Sequence, residues 1–492
     1  MHAACRETAG RHVDYSEKKC GNPDKGFLSL WMEAMEKKVD LLHEPILPAL
    51  TRLAVPIVAT SLVQMLYNLT DMAWIGRLGS GAVTAVGSAG MYTWFAQGFS
   101  NLAKTGGQVK TAHALGAGEE ETAAAYARGA LQLGILFALL FGLCSVACAG
   151  AMIGFFGLQE AETIREAEHY LRIAGGLILF SYLNLIFTGL FTAAGDSRTP
   201  FLANVAGLLT NVVLDPVLIF GLGPVPALGS AGAAAATVLA QAFVTVLFLR
   251  SMRYEKQLFS SFRLFRRVPA AEMQEIVRIG FPAAVQTLFY SGISMIITRL
   301  VAAWGDSAVA VQRVGSQIES VSWMIGEGIS ASINAFIGQN YGARQMDRVK
   351  KGYHTALAMT VIWGSFTTAL LFFGAEPIFR LFISEDGVVP LGIDYLKIVS
   401  ASQLLMMIEM MTIGAFSGLG KTMYPNILSV VLLVARIPFA CLFMALGLGL
   451  NGIWWALVLS SDIKGAILLV TFLLCIGKIA RKKEQNNEKI GE

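Results

Sequence analysis

Carboxylates and amides recur at helical spacing inside stretches that are otherwise apolar. Gln64, Asn68 and Asp71 stand at i, i+4 and i+7, so one helical face carries all three, with Tyr67 beside them. Asn204, Asn211 and Asp215 stand at i, i+7 and i+11, again on one face. Two carboxylates plus amide oxygens are hard ligands of the kind a small cation prefers. The same carboxylates could instead carry protons. Further along, Ser316, Glu319, Ser320, Trp323, Glu327 and Asn334 lie close to one face, and Glu409 follows in a later apolar stretch. Glu327 falls near the middle of its stretch, where a carboxylate could face a cationic substrate. Glu319 lies nearer an end and could instead pair with Arg313. Asp462 and Lys464 are two apart and point to different faces, which suggests structural pairing, with Arg436 as a partner for Asp462.

The elements that must hold these groups are membrane spans. The chain has 492 residues, of which 55% are hydrophobic and 15% charged, and its mean hydropathy is +0.58. A soluble protein of this length would carry roughly a quarter charged residues, so a soluble multidomain enzyme and a disordered chain are both excluded. Twelve apolar stretches are long enough to cross a bilayer as helices. The first six fall near 53–77, 86–112, 124–150, 170–192, 201–222 and 230–250. The second six fall near 279–302, 311–337, 353–374, 393–416, 425–446 and 452–476. This predicts an all-α polytopic membrane protein.

Charge alternates between the connecting segments. Lys37, Lys38 and Arg52, then Lys104, Lys110 and Arg128, then Arg198, collect on one side. So do the run from Arg250 to Arg278, the group Arg344 to Lys351, Lys421, and the basic residues from Lys478. The opposite segments are acidic or neutral, such as 160–168 and 384–387. The positive-inside rule then puts both termini in the cytoplasm, and the plasma membrane is the expected location. The net charge of +4 is an expression of topology and implies no nucleic-acid partner. The six cysteines form no metal-ligand pattern. Leu28, Trp31, Met32, Met35, Val39 and Leu42 recur at helical spacing and suggest an interfacial helix, or a solvated one packed on a loop.

The two halves repeat. Arg52 and Pro56 match Arg278 and Pro282, and the same register aligns Gly79 with Gly305 and Gly116 with Gly342. Gly195-Asp196-Ser197 pairs with Gly420-Lys421-Thr422, and Gly229-Ser230-Ala231-Gly232 with Gly449-Leu450-Asn451-Gly452. Each half has an even number of spans, so the halves are parallel and related by a pseudo-two-fold axis along the membrane normal. The expected organisation is a tail at 1–50, an N-lobe at 51–252, a basic linker at 253–276, a C-lobe at 277–477 and a tail at 478–492.

Four motifs, in order, resemble those of the multidrug and toxic compound extrusion (MATE) transporters. They are Gln64 to Asp71 with Ile75 to Gly79, Gly195 to Pro200, Asn211 to Pro216, and Gly338 to Ala343. The resemblance covers residues 50 to about 476. It implies a V-shaped pair of lobes and a mostly monomeric exporter of amphipathic organic cations, driven by Na⁺ or H⁺ entry. It also implies that Asp71, Asn211 and Asp215 form the N-lobe cation site, with Asn184 and Thr237 contributing from the fourth and sixth spans. The C-half departs from the N-half, because Ile297 stands where Asp71 would be matched.

The resulting expectation is a secondary antiporter working by alternating access. Its cleft candidates are Gln64, Tyr67, Asn68, Asn204, Trp323, Glu319, Glu327 and Glu409. No cofactor beyond the coupling ion is expected, since no nucleotide motif or intramembrane histidine site can be read. The alternative is a lipid-linked oligosaccharide flippase, which would need cations in the cleft. The in-span candidates for that role, Arg299, Arg313 and Arg436, are few.

Overall fold

A computed structural model describes residues 38–491, apart from 157, 159, 223–225, 260–263, 265 and 383–386. Twelve long helical segments stand where the apolar stretches lie, and the described residues contain no strand. We number them α1 (Ile46–Gly76), α2 (Ser80–Gly116), α3 (Glu120–Ala147), α4 (Ala161–Gly175 with Leu179–Ala193), α5 (Arg198–Phe220) and α6 (Gly229–Ser251). The second half supplies α7 (Ala270–Ala302), α8 (Asp306–Gly342), α9 (Met346–Phe373), α10 (Val389–Gly418), α11 (Met423–Phe443) and α12 (Gly449–Gly491). The expected interfacial helix lies mostly outside the described residues, and 38–42 are not helical.

Two of the twelve differ in character from the rest. Helices α2 and α8, equivalent in the repeat, are long enough to span but too rich in Gly, Ser, Thr and Gln to qualify by composition alone. They also meet each other across the lobes. The fourth span is not the single straight helix expected from 170. It starts at Ala161, passes through a π turn at Leu171–Gly175 and bends by 44° before Leu179. The acidic stretch near 162–168 is therefore helical and not a loop.

The duplication is visible in the packing. In the N-lobe α1 packs on α5, α5 on α6, and α2 on α3 and α4. In the C-lobe α7 packs on α11, α11 on α12, and α8 on α9 and α10. Between lobes, α1 meets α8 as α7 meets α2, and α2 meets α8 on the axis. The backbone repeats too. Gly79 (φ 113°) and Gly305 (φ 99°) make the same tight turn, which needs a conformation only glycine adopts cheaply.

Glycine spacing also shapes the gap between lobes. Toward the basic end, a Cβ at Gly116 would lie 1.9 Å from the Gln339 carbonyl, and one at Gly342 2.0 Å from that of His113. Gly106 against Ile276 and Gly280 against Leu102 are as close, at 2.1 and 2.0 Å. Toward the other end, Gly87, Gly90 and Gly292 on the same helices face open space within 4 Å. So α2 and α7 touch at one end and splay at the other. Polar bonds seal the joined end: Gln339 Nε2 donates to the Ala193 carbonyl (2.7 Å), His113 Nε2 lies 2.6 Å from that of Gly418, and Lys110 pairs with Glu275 at 2.5 Å.

Gly116→Val should therefore force the lobes apart at the basic end. Overpacking of about 1–3 kcal/mol falls on the joined state, which corresponds to roughly a 5- to 150-fold shift in population. Spin-label distances across that end should lengthen. A lowered melting temperature with unchanged distances would refute the expectation.

Candidate functional site

The polar face of α1 meets that of α5 within the N-lobe, where α6 and the start of the π turn in α4 also converge. Asp215 and Asn211 are fully buried, Tyr67 and Tyr170 nearly so, and Asp71 is half-buried. Asn211 Nδ2 donates to Asp215 Oδ1 at 2.9 Å, which leaves the Asn211 carbonyl oxygen unengaged. Five buried oxygens here have no hydrogen-bond partner among the described residues: Tyr67 Oη, Asp71 Oδ1, Asn211 Oδ1, Asp215 Oδ2 and Thr237 Oγ1. Tyr67 lies beside Thr237 and Gln241, and Asp71, Asp215 and Tyr170 are within electrostatic reach of one another. Pro216 inside α5 removes the donor that the Val212 carbonyl would otherwise receive, freeing a further oxygen next to the cluster.

Among the described residues neither aspartate has an ion-pair partner. A buried carboxylate without a countercharge is costly, and two together more so. Five unengaged oxygens, two of them carboxylate, suit a small hard cation or protons.

The other N-lobe candidates are placed differently. Asn184 is engaged with Gln241, donating to its Oε1 (2.7 Å) and carbonyl (2.9 Å), and accepts from Thr245 (2.8 Å). It thus supports Gln241 from behind. Asn204 donates to Pro200 of its own helix (2.7 Å), and Gln64 and Asn68 are exposed on α1. Tyr170 was not legible as a member of this group. A π turn widens the helix and re-aims the residues beside it, and no spacing in the sequence reveals that insertion.

In the C-lobe, the expected pairings give way to others. Glu319 does not pair with Arg313; it accepts from Tyr395 Oη at 2.7 Å. Arg436 does not pair with Asp462. Its guanidinium donates to Ser460 (2.8 Å) and Ser461 (3.0 Å). Lys464 pairs with Glu409 at 2.6 Å, both side chains 7% exposed, so that carboxylate is committed to a helix-to-helix contact. Trp323 packs its ring against Tyr290, with centroids 5.7 Å apart, and Glu327 is exposed. Lys104, grouped with the basic rim by sequence, stands well inside α2 and is half-buried.

The family profile MatE matches residues 56–217 and again 282–442, once in each half. The probable multidrug resistance protein NorM of Thermotoga maritima is 27% identical over 450 residues, 90% of this chain and 95% of that protein. The NorM of Pseudomonas aeruginosa is 28% identical over 425 residues, covering 84% and 86%. A crystal structure of MATE in the bent conformation superposes with a TM-score of 0.84 at 24% identity, covering 91% of this chain and 99% of that one. Twelve helices in two repeated lobes, and a family match in each lobe, make this chain a member of the MatE family of multi-pass membrane transporters.

Proposed function

We propose that the protein exports amphipathic organic cations in exchange for Na⁺ or H⁺, by alternating access of the cleft between its lobes. The observation that carries this is the set of five unengaged buried oxygens, two of them from carboxylates without a countercharge. The names of the two NorM relatives as multidrug resistance proteins support the choice of substrate class.

Asp71 and Tyr67 ride on α1, whereas Asn211, Asp215 and Thr237 belong to α5 and α6. Binding a cation or protons there draws α1 toward its lobe. The other end of α1 touches the C-lobe, where Val58 and Ala54 pack on Gly328. Ion binding thus favours one arrangement of the lobe interface over the other, which is all that coupling requires. Under the positive-inside rule the basic end is cytoplasmic, both termini lie in the cytoplasm and the cleft opens outward. The plasma membrane is the expected site, and the monomer the working unit.

The test is export of a fluorescent cation from proteoliposomes, with Na⁺ and pH gradients imposed in turn. At least one gradient should drive export. Export indifferent to both would remove the antiport reading.

Lesser contributors should show graded effects. Tyr67→Phe and Thr237→Ala each remove one neutral oxygen ligand. Each should weaken the driving ion's apparent affinity by about 2- to 10-fold, the worth of one hydrogen-bond-like contact. The dependence of export rate on ion concentration reads this directly, and an unchanged half-saturation would exclude that side chain.

A further inference from the structure

Lys104 is a charged group near the lobe interface that the coupling scheme leaves unused. It stands twelve residues before the end of α2, and Glu327 stands fifteen before the end of α8. At 1.5 Å per residue both lie about 20 Å from the basic ends, near mid-membrane. The contacts of Gly338 with Ala112, and of Gly116 with Gln339, set α2 and α8 in parallel register. That register sets Lys104 and Glu327 at the same depth to within about one helical turn. The stem of Lys104 lies along α4, its Cγ 3.0 Å from where a Cβ on Gly189 would be. Glu327 is exposed and is the acid within electrostatic reach of Lys104, yet the two form no ion pair among the described residues.

The repeat makes the arrangement more telling. In the common register Asn101 corresponds to Glu327, and Ser330 to Lys104. Each lobe therefore holds one charge where the other holds a neutral residue, and the signs are opposite. Ionisable groups at this depth are costly and are expected to meet a partner. We propose that Lys104 and Glu327 form a two-point site at the floor of the cleft for amphipathic zwitterions. Lys104 takes the carboxylate or phosphate end, and Glu327 takes the cationic end. A ligand with only a cation leaves Lys104 unmatched. This rests on the export reading and extends its substrates to ligands that carry an anion beside the cation.

The test uses an amphipathic dye that carries both a carboxylate and a delocalised cation, and its ethyl ester, which keeps only the cation. Wild-type protein in proteoliposomes should export the zwitterion with a KM at least tenfold below that of the ester. Lys104→Gln should raise the zwitterion's KM at least tenfold and leave the ester's unchanged or lower. Glu327→Gln should raise both. Equal changes for the two dyes in Lys104→Gln would assign Lys104 a merely structural role and overturn the inference, as would a wild-type preference for the ester. Export of neither dye would instead count against the export reading itself.

A separate set of contacts carries a second inference. Residues 38–45, just before α1, touch both lobes at the basic end. Val39 N–H donates to the Gly195 carbonyl (3.2 Å) of the N-lobe, and Lys38 pairs with Glu255 (2.9 Å) of the linker. The Leu41 carbonyl accepts from Asn340 (3.0 Å) and Arg348 (3.1 Å), and that of Glu44 from Arg348 (2.8 Å), all from the second half. Leu41 is 1% exposed. Asp40 fixes the turn between. Burial pushes its carboxyl up, but bonds from His43 and the Leu42 and His43 N–H groups outweigh this and hold it below the usual range. We infer that this segment is a strap that bolts the lobes together at the basic end and must release before they part there.

Leu41→Asp and Arg348→Ala should each raise the population with long spin-label distances across that end, by about tenfold. Gly90, in the open end of α2, serves as control: Gly90→Ala should leave the distances as in wild type. Distances unchanged in both strap variants would overturn the inference.

Discussion

Asp215→Asn is expected to abolish gradient-driven export, with a loss of about 100-fold or more if the coupling free energy is near 3 kcal/mol. The amide has nearly the same shape as the carboxylate and keeps an oxygen for the bond from Asn211 Nδ2. What it loses is the charge, and with it the capacity to hold a metal cation tightly or to carry a proton. Asp71→Asn should behave alike, because Asp71 is the one acid that α1 contributes to the cluster. Substrate binding at equilibrium should persist in both, since the cleft groups on α2 and α8 are untouched. A variant that lost binding and export together would point to collapse of the N-lobe and not to uncoupling.

The second large effect is on stability. Lys464→Met should destabilise the protein by about 3–5 kcal/mol, because Glu409 would be left as a buried carboxylate with no counterion. Glu409→Gln should cost a similar amount by stranding the ammonium. The double variant Glu409→Leu/Lys464→Met should recover most of the loss, since an apolar pair of similar volume replaces a buried ion pair at little net cost. Thermal unfolding in detergent reads all three. Were Glu409 a cleft group, its substitution would change substrate KM and leave the melting temperature alone.

These expectations divide along the line between what a linear pattern can and cannot carry. Spans, duplication and the shared face of Asn211 and Asp215 follow from periodicity and apolar length, which are local properties. So does the pairing of Gly79 with Gly305. The motif from Gly338 to Ala343 was legible as a motif, but its work was not. Gly338 and Gly342 admit α2, Gln339 reaches the end of α4, and Asn340 holds the chain before α1. Which partner a buried charge takes depends on how two helices rotate against each other. That is why Glu409 with Lys464, Glu319 with Tyr395 and Arg436 with Ser460 escaped sequence reasoning. Lys104 escaped for another reason: beside Lys110, it looked like part of the basic rim, although α2 continues to Gly116.

Counting ions against substrate tests the central claim most directly. Proteoliposomes holding both a sodium-sensitive and a pH-sensitive dye would report how many Na⁺ or H⁺ move for each organic cation that moves the other way. For the wild-type protein the account predicts at least one ion per substrate, and for Asp71→Asn/Asp215→Asn none, with substrate still bound. An ion count in the double variant equal to that of wild type would contradict it.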